Sequence, residues 1–467
     1  MKIKQTIIGT AAIGFFAYLV SVYIVKFQDT SAANDRLENF TLNDKSSLDF
    51  QAMKVLAKNG CGYCHTNDAP LPFYASLPVA KDMIQKDVQK GLAHFDLSSV
   101  YHSVENFESV SGTALNKLER VVHEGSMPMT NFRMMHWASG LSDDEEQVLL
   151  DWIKEKRLKQ NYGSPVNEER KLASVQPIHT YFSVDENKAK LGEQLFHDTR
   201  LSGDNTVSCA SCHSLSTGGV DRLKTSVGIH KQVGGINAPT VYNAAFNKLQ
   251  FWDGRAADLQ EQAGGPPFNP IEMGSKNWEQ VIAKLLEDEA LVAQFNTAYA
   301  GEISGETITD AIAEFEKTLV TPNSRFDQYL KGDESAISKV EKEGYQLFQQ
   351  YNCDSCHSGQ ILGGESFEVM GLKADYFGER GNVTKEDLGR YNVTGIESDK
   401  HRFKVPTLRN VALTQPYFHD GHAETLEQAI SDMAIYQSGV ELTDHEIDAI
   451  KQFLVSLTGE YKGKTLQ

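Results

Sequence analysis

The sequence has no cysteine to spare. Its 467 residues hold six, and all six fall inside three short boxes, Cys61-Gly-Tyr-Cys-His65, Cys209-Ala-Ser-Cys-His213 and Cys353-Asp-Ser-Cys-His357. No positive balance is present either. Lys and Arg number 45 against 63 Asp and Glu, a formal net charge of −18, which speaks against a nucleic-acid partner because phosphate binding needs a basic footprint. An acidic surface of this kind is suited to attract a basic electron-transfer protein. Little of the chain reads as a well-formed sheet, so the expected fold is mainly α.

A lone Cys-x-x-Cys fits a redox dithiol or half of a zinc site. Three boxes, each followed directly by His and with no thiol left over, instead form the attachment signal of c-type haem. Two sulfurs would bond the porphyrin vinyls, and the neighbouring His would ligate iron. The chain therefore reads as three covalently bound haem c groups. Cys61, Cys64, Cys209, Cys212, Cys353 and Cys356 are the attachment points, and His65, His213 and His357 the proximal ligands.

The N-terminus carries Ile7–Val25, 19 residues without a charge, long enough at 1.5 Å per residue to cross about 28 Å of bilayer. Lys2 and Lys4 precede it and favour a cytoplasmic N-terminus with the remainder exported. A cleaved signal is the rival reading, but the run exceeds a usual apolar core of about 7–15 residues, and Ser31-Ala32-Ala33 is a poor cleavage site. The expectation is a single-pass anchor in the inner membrane with haem modules in the periplasm. The modules are placed at 28–160, 161–325 and 326–467 behind an anchor at 1–27. Phe27–Lys45 reads as a polar tether and Gln160–Pro177 as a linker.

The second and third modules repeat one another. "LGEQLF" (191–196) answers "EGYQLF" (343–348), "APTVYN" (238–243) answers "VPTLRN" (405–410), and "FWDGRAADLQEQA" (251–263) answers "FHDGHAETLEQA" (418–429). Such self-similarity marks repeated structural units. Ser142 with Glu145 and Thr443 with Glu446 fit capping boxes at the start of module-closing helices.

Residues 185–467, through "SCASCHSL", "NAPTVYN", "FWDGRAADLQEQAGGP", "PIEM", "KVPTLRNVALTQPYFHDG" and Met433, resemble the bacterial dihaem cytochrome c peroxidases. With the anchor and the extra module carrying "CGYCH", "GSMPMT" and "MHWASGLSDDE", the whole chain resembles their trihaem, membrane-anchored quinol peroxidase branch. The resemblance implies a peroxidase that reduces hydrogen peroxide to water. Electrons would come from membrane quinol through the N-terminal haem, or from a soluble cytochrome or cupredoxin.

It also implies site roles. Met433 would be the second ligand of the third, electron-transferring haem. Glu272 would shuttle a proton above the second, peroxidatic haem, with Gln262 orienting peroxide and Trp252 bridging the two haems. Arg255 and Asp253 would organise haem propionates or the contact between modules. Asn237, with the carbonyls of Thr414 and Pro416, matches the family's calcium site. Met273 is a rival iron ligand by chemistry, set aside because it adjoins Glu272 in the motif.

Met127 is the preferred sixth ligand of the first haem, in competition with Met129, Met134, Met135, His123 and His136. One departure stands out: where many relatives place an inhibitory His, this chain has Ile229, with His230 one residue later. A plain electron-transfer cytochrome is disfavoured by Glu272 and Gln262. A relative that matures a tryptophan-derived cofactor is disfavoured because it carries Tyr where Met433 stands. Oligomeric state, including a dimer, is left open.

Overall fold

The computed structural model describes residues 2–40, 42, 44–160, 166–167, 170–178 and 181–467. It is mainly helical and divides into two compact units, Met1–Gln160 and Asn161–Gln467.

In the first unit, helix α1 runs unbroken from Lys2 to Glu38, and Ala12–Glu38 within it is long and apolar enough to cross a membrane. The tether expected from Phe27 is thus helical as far as Glu38. No Gly or Pro interrupts residues 27–38, and tertiary contacts reward continuation. Arg36 stacks over Tyr101 and pairs with Asp68 at 2.8 Å, and Leu37 packs on the core. Below it, α2 (Leu48–Lys58), α3 (Gly112–Glu124), α4 (Thr130–Met135) and α5 (Asp143–Gln160) follow. Trp152, Met53 and Leu115 are fully buried at the centre of this unit. The Trp152 indole N–H donates to Asp49 at 2.7 Å, which meets the polar need of a buried indole. Ser142 and Glu145 form the expected reciprocal cap of α5.

The second unit is built as two similar halves. Helix α6 (Glu186–Phe196) crosses α7 (Gly305–Glu316), and α8 (Lys339–Gln350) crosses α10 (Asp444–Val455), with α9 (Leu426–Met433) between the last two in sequence. Both crossings turn on a glycine. A Cβ on Gly192 would lie 1.8 Å from the Ala311 carbonyl oxygen, and one on Gly344 would lie 1.9 Å from that of Ala449. Phe315 and Phe453 follow at matching distances. The repeated "LGEQLF" and "EGYQLF" segments therefore mark the same close helix approach twice.

Each half has its own apolar core, around Leu191, Phe295, Ile308 and Phe315 in one and Phe326, Tyr345, Phe348 and Phe453 in the other. The ends of the unit cross over. Val175 is buried in the core of the C-terminal half, while Tyr461 and Leu466 pack on that of the N-terminal half. The expected linker is accordingly packed structure from Arg170 onward. Val175 and Ile178 are wholly buried and Gln176 accepts from Arg409 at 2.9 Å; Pro165 lies outside the described residues. Thr321 joins the halves: Asn243 and Asn410, equivalent in the repeat, both donate their side-chain amides to its hydroxyl, at 2.8 and 2.9 Å. Strands are few, chiefly β1 (Phe367–Val369) paired antiparallel with β2 (Arg402–Lys404).

Candidate functional site

The three boxes share one local geometry. His65, His213 and His357 each donate their backbone N–H to the first Cys of the box, at 3.2, 2.9 and 2.9 Å. The Nδ1 of His65 lies 2.9 Å from the Phe95 carbonyl and that of His357 3.1 Å from the Leu362 carbonyl. A backbone carbonyl on Nδ1 fixes the tautomer and leaves Nε2 as the free lone pair, as an iron ligand requires. His213 Nδ1 is buried without a hydrogen-bond partner among the described residues. No disulfide joins the six cysteines, and burial pushes the Cys61, Cys209 and Cys353 thiols up to about 12 and that of Cys64 to about 11. Buried, protonated thiols are poor redox nucleophiles, and the His placed directly after each pair fits covalent haem attachment.

Above the second box, two loops are sewn together. Ile229 N–H donates to the Glu272 carbonyl at 2.8 Å, and Gln232 reaches the Pro270 carbonyl at 2.8 Å. Gly228 permits this approach, since a Cβ there would lie 1.9 Å from the Ile271 oxygen. The Glu272 carboxylate accepts from the Asn269 amide at 2.8 Å. Burial pushes the Glu272 carboxyl above its ordinary range, opposed by the charge of Arg255 and by the Asn269 hydrogen bond. A partly buried carboxyl held by a hydrogen bond is chemically able to take and return a proton.

Gln262 is half-buried on the short helix Leu259–Ala263. Met273 is buried in the core beside Phe196 and Leu201, so the structure gives this rival a packing role. Ile229 is buried and His230 points outward, with 68% of its side chain exposed and Nδ1 3.5 Å from Asp204. Arg255 pairs with Asp253 at 2.9 Å and covers the Phe251 ring.

Toward the third box, Met433 ends α9 and packs, partly buried, on Met370, Tyr376, Phe377 and Phe403. Trp252 belongs to the same cluster. Its indole N–H donates to the Asn237 carbonyl at 3.0 Å, and its ring meets that of His419 edge-on, centroids 6.5 Å apart. Asn237 N–H donates to the His419 carbonyl at 2.8 Å, and its side-chain amide reaches the Leu223 carbonyl at 2.9 Å. Thr414 follows the turn Val411–Leu413, and the peptide bond from Gln415 to Pro416 is cis.

Sequence reasoning missed the charged cluster behind Trp252. His419 Nε2 lies 2.7 Å from Asp387, which Arg380 also holds at 2.5 Å, and Arg380 bridges to Asp420. Burial alone would raise the Asp387 carboxyl, but the His419 and Arg380 hydrogen bonds outweigh it and hold it well below the carboxylate range. Asp387, His419 and Asp420 converge like a cation site, but the Arg380 guanidinium already supplies the positive charge. No sequence spacing signals a pair 32 residues apart.

In the first unit, Met127 is 37% exposed, between the left-handed Gly125 and α4. Both ring nitrogens of His136 are engaged, Nε2 by the Tyr74 hydroxyl at 2.6 Å and Nδ1 by Asp29 at 2.9 Å.

Comparison with known proteins agrees with this arrangement. A family profile described as di-haem cytochrome c peroxidase matches residues 186–335, and one described as a haem-binding domain matches residues 17–155. Cytochrome c peroxidase Ccp of Escherichia coli (strain K12) is 46% identical over 462 residues, covering 99% of this chain and 98% of that protein. The chain belongs to the di-haem cytochrome c peroxidase family. As a family member it is a peroxidase and not a bare electron carrier.

Another family member, cytochrome c551 peroxidase of Nitrosomonas europaea, is 46% identical over 61% of this chain and 84% of its own. Among solved structures, a MauG-like protein associated with microbial copper homeostasis superposes with a TM-score of 0.54 at 28% identity, covering 62% of this chain and 94% of that one.

Proposed function

We propose that the protein reduces hydrogen peroxide to water with electrons from membrane quinol. The electrons would enter at a haem on the first box and pass through the His357/Met433 haem to the His213 haem. The reading includes three haem c groups, a retained α1 anchor with the haem units in the periplasm, and one calcium ion at Asn237, Thr414 and Pro416. Bound haem iron supplies the redox centre at which the O–O bond is reduced; the chain's residues supply the rest.

The observation that carries the reading is Glu272: a partly buried carboxyl raised by burial, fixed by Asn269 on a loop tied to Ile229. Its carboxylate takes the proton from one peroxide oxygen and returns it to the other as that oxygen leaves, while Gln262 holds peroxide by hydrogen bonding. Ile229 offers no lone pair, so its position cannot close the iron face. Trp252, packed between Met433's cluster and the loop of Asn237, lies on the electron path.

Glu272→Gln keeps the shape and removes the proton acceptor. Peroxide turnover should fall about 10²–10⁴-fold with all haems attached, measured with any reductant. Turnover near that of the unaltered protein would remove Glu272 from the mechanism.

A further inference from the structure

Where α1 leaves its apolar run, three polar side chains stand in a row. Asp29 is four residues, one turn or about 6 Å, beyond Val25. Its carboxylate is 2.9 Å from His136 Nδ1, and His136 Nε2 is 2.6 Å from the Tyr74 hydroxyl. A carboxylate only accepts, so the ring carries its proton on Nδ1 and accepts the Tyr74 O–H on Nε2. His136 is 1% exposed and stacks flat on Phe132, ring centres 3.8 Å apart. Tyr63, the third residue of the first haem box, donates to the same Asp29 at 3.0 Å. The row therefore begins at half-buried Tyr74 and ends against the haem attachment segment.

The surroundings are apolar and exposed. Tyr18, inside the apolar run and about 16 Å below Asp29 along the helix, donates to the Met134 carbonyl at 2.6 Å. Trp137 donates to the Tyr18 hydroxyl at 3.2 Å. The segment carrying His136 thus packs along the apolar run of α1. Phe27, Leu71, Phe73, Met134 and Trp137 are all exposed there, and Phe73 N–H is tied to Gln28 of the anchor at 3.2 Å. Exposed large apolar side chains in one place mark a binding or membrane surface, and Tyr and Trp suit the interface.

We propose that this cluster is the oxidation site of a lipid-soluble hydroquinone, with Tyr74, His136 and Asp29 as its proton exit. The proposal rests on the quinol donor of the proposed function. Hydroquinone becoming quinone breaks two O–H bonds and releases two electrons and two protons. The ring hydroxyl donates to the Tyr74 oxygen, the Tyr74 proton passes to His136 Nε2, and the Nδ1 proton passes to Asp29. Asp29, with 12% of its side chain exposed, releases it to water before the second proton follows. A haem held by Cys61, Cys64 and His65 would take the two electrons one at a time, and peroxide reduction would restore that acceptor.

The test uses the full-length holoprotein in lipid nanodiscs, mixed rapidly with a short-chain benzoquinol or with a one-electron mediator that carries no proton. Haem reduction is followed by absorbance, and equilibrium binding of the oxidised benzoquinone is measured separately. Asp29→Asn keeps a hydrogen-bonding side chain but removes the base, and Tyr74→Phe removes the first hydroxyl. Each should slow quinol-driven reduction at least tenfold and leave mediator-driven reduction unchanged. Asp29→Glu should recover most of the rate, and Tyr74→Phe should weaken quinone binding. Unchanged quinol rates in both variants would show that the row only clamps the anchor, and equal losses with quinol and mediator would show that it only supports the haem fold; either overturns the site. An unaltered protein that accepts electrons from the mediator but not from quinol overturns the quinol donor itself, and the site with it.

Discussion

Glu316 allows a sharp test of how the two halves of the second unit differ. It ends α7, is 5% exposed, and burial alone pushes its carboxyl up to about 8. The glycine crossings align Phe315 with Phe453, so Glu316 occupies the place that apolar, buried Leu454 fills in the other half. Its folded value lies above its unfolded value of 4.5, so between those limits the folded state binds the extra proton. Stability contributed by that proton is complete below about pH 4.5 and is lost as pH rises toward 8, at about 1.4 kcal/mol per pH unit. Summed over the window this is at most roughly 5 kcal/mol.

Glu316→Leu installs the residue of the sister half and should abolish the slope. The variant and the unaltered holoprotein should have similar stability near pH 4.5. By pH 8 the variant should be more stable by several kcal/mol. Denaturant unfolding at five pH values from 4.5 to 9, followed by the haem absorbance of the second unit, measures the difference. Parallel stability curves would refute the reasoning, since they would mean that Glu316 titrates alike folded and unfolded.

Gly344→Ala should destabilise the C-terminal half by roughly 1–3 kcal/mol, because the new Cβ meets a backbone oxygen that cannot turn aside; an unchanged melting temperature would disprove the close crossing. His230→Ala should leave the oxidised haem spectrum unaltered, as His230 faces solvent beside Asp204; a high-spin signal appearing only in the variant would make His230 a ligand. Met433→Leu should convert the third haem from low to high spin with the haem still attached, and a surviving low-spin signature would acquit Met433.

The repeat was readable because its residues are fixed by local demands. The CxxCH turns, the glycines at helix crossings and the paired "APTVYN" and "VPTLRN" segments each carry their constraint within a few residues. The haem boxes were legible for the same reason. What escaped were pairings between distant positions: Asp29 with His136, 107 residues apart, and Asp387 with His419. Val175 looked like linker because its neighbours are polar and Pro-flanked, while its burial is decided by a core assembled about 150 residues later. Met273 and Glu272 are adjacent, and only the structure turns the first into the core and leaves the second partly open.

Thr321 gives the second unit an evolutionary signature. A duplicated cytochrome module would at first be two separable beads, each free to drift, swap or be lost. Here one hydroxyl serves as acceptor for both inherited asparagines, and the two ends of the unit are exchanged between the cores. No single cut in the chain returns two self-sufficient halves. The two copies have become mutually dependent, so the gap between their Cys-x-x-Cys-His boxes belongs to one folded unit and is a fixed spacing rather than a hinge.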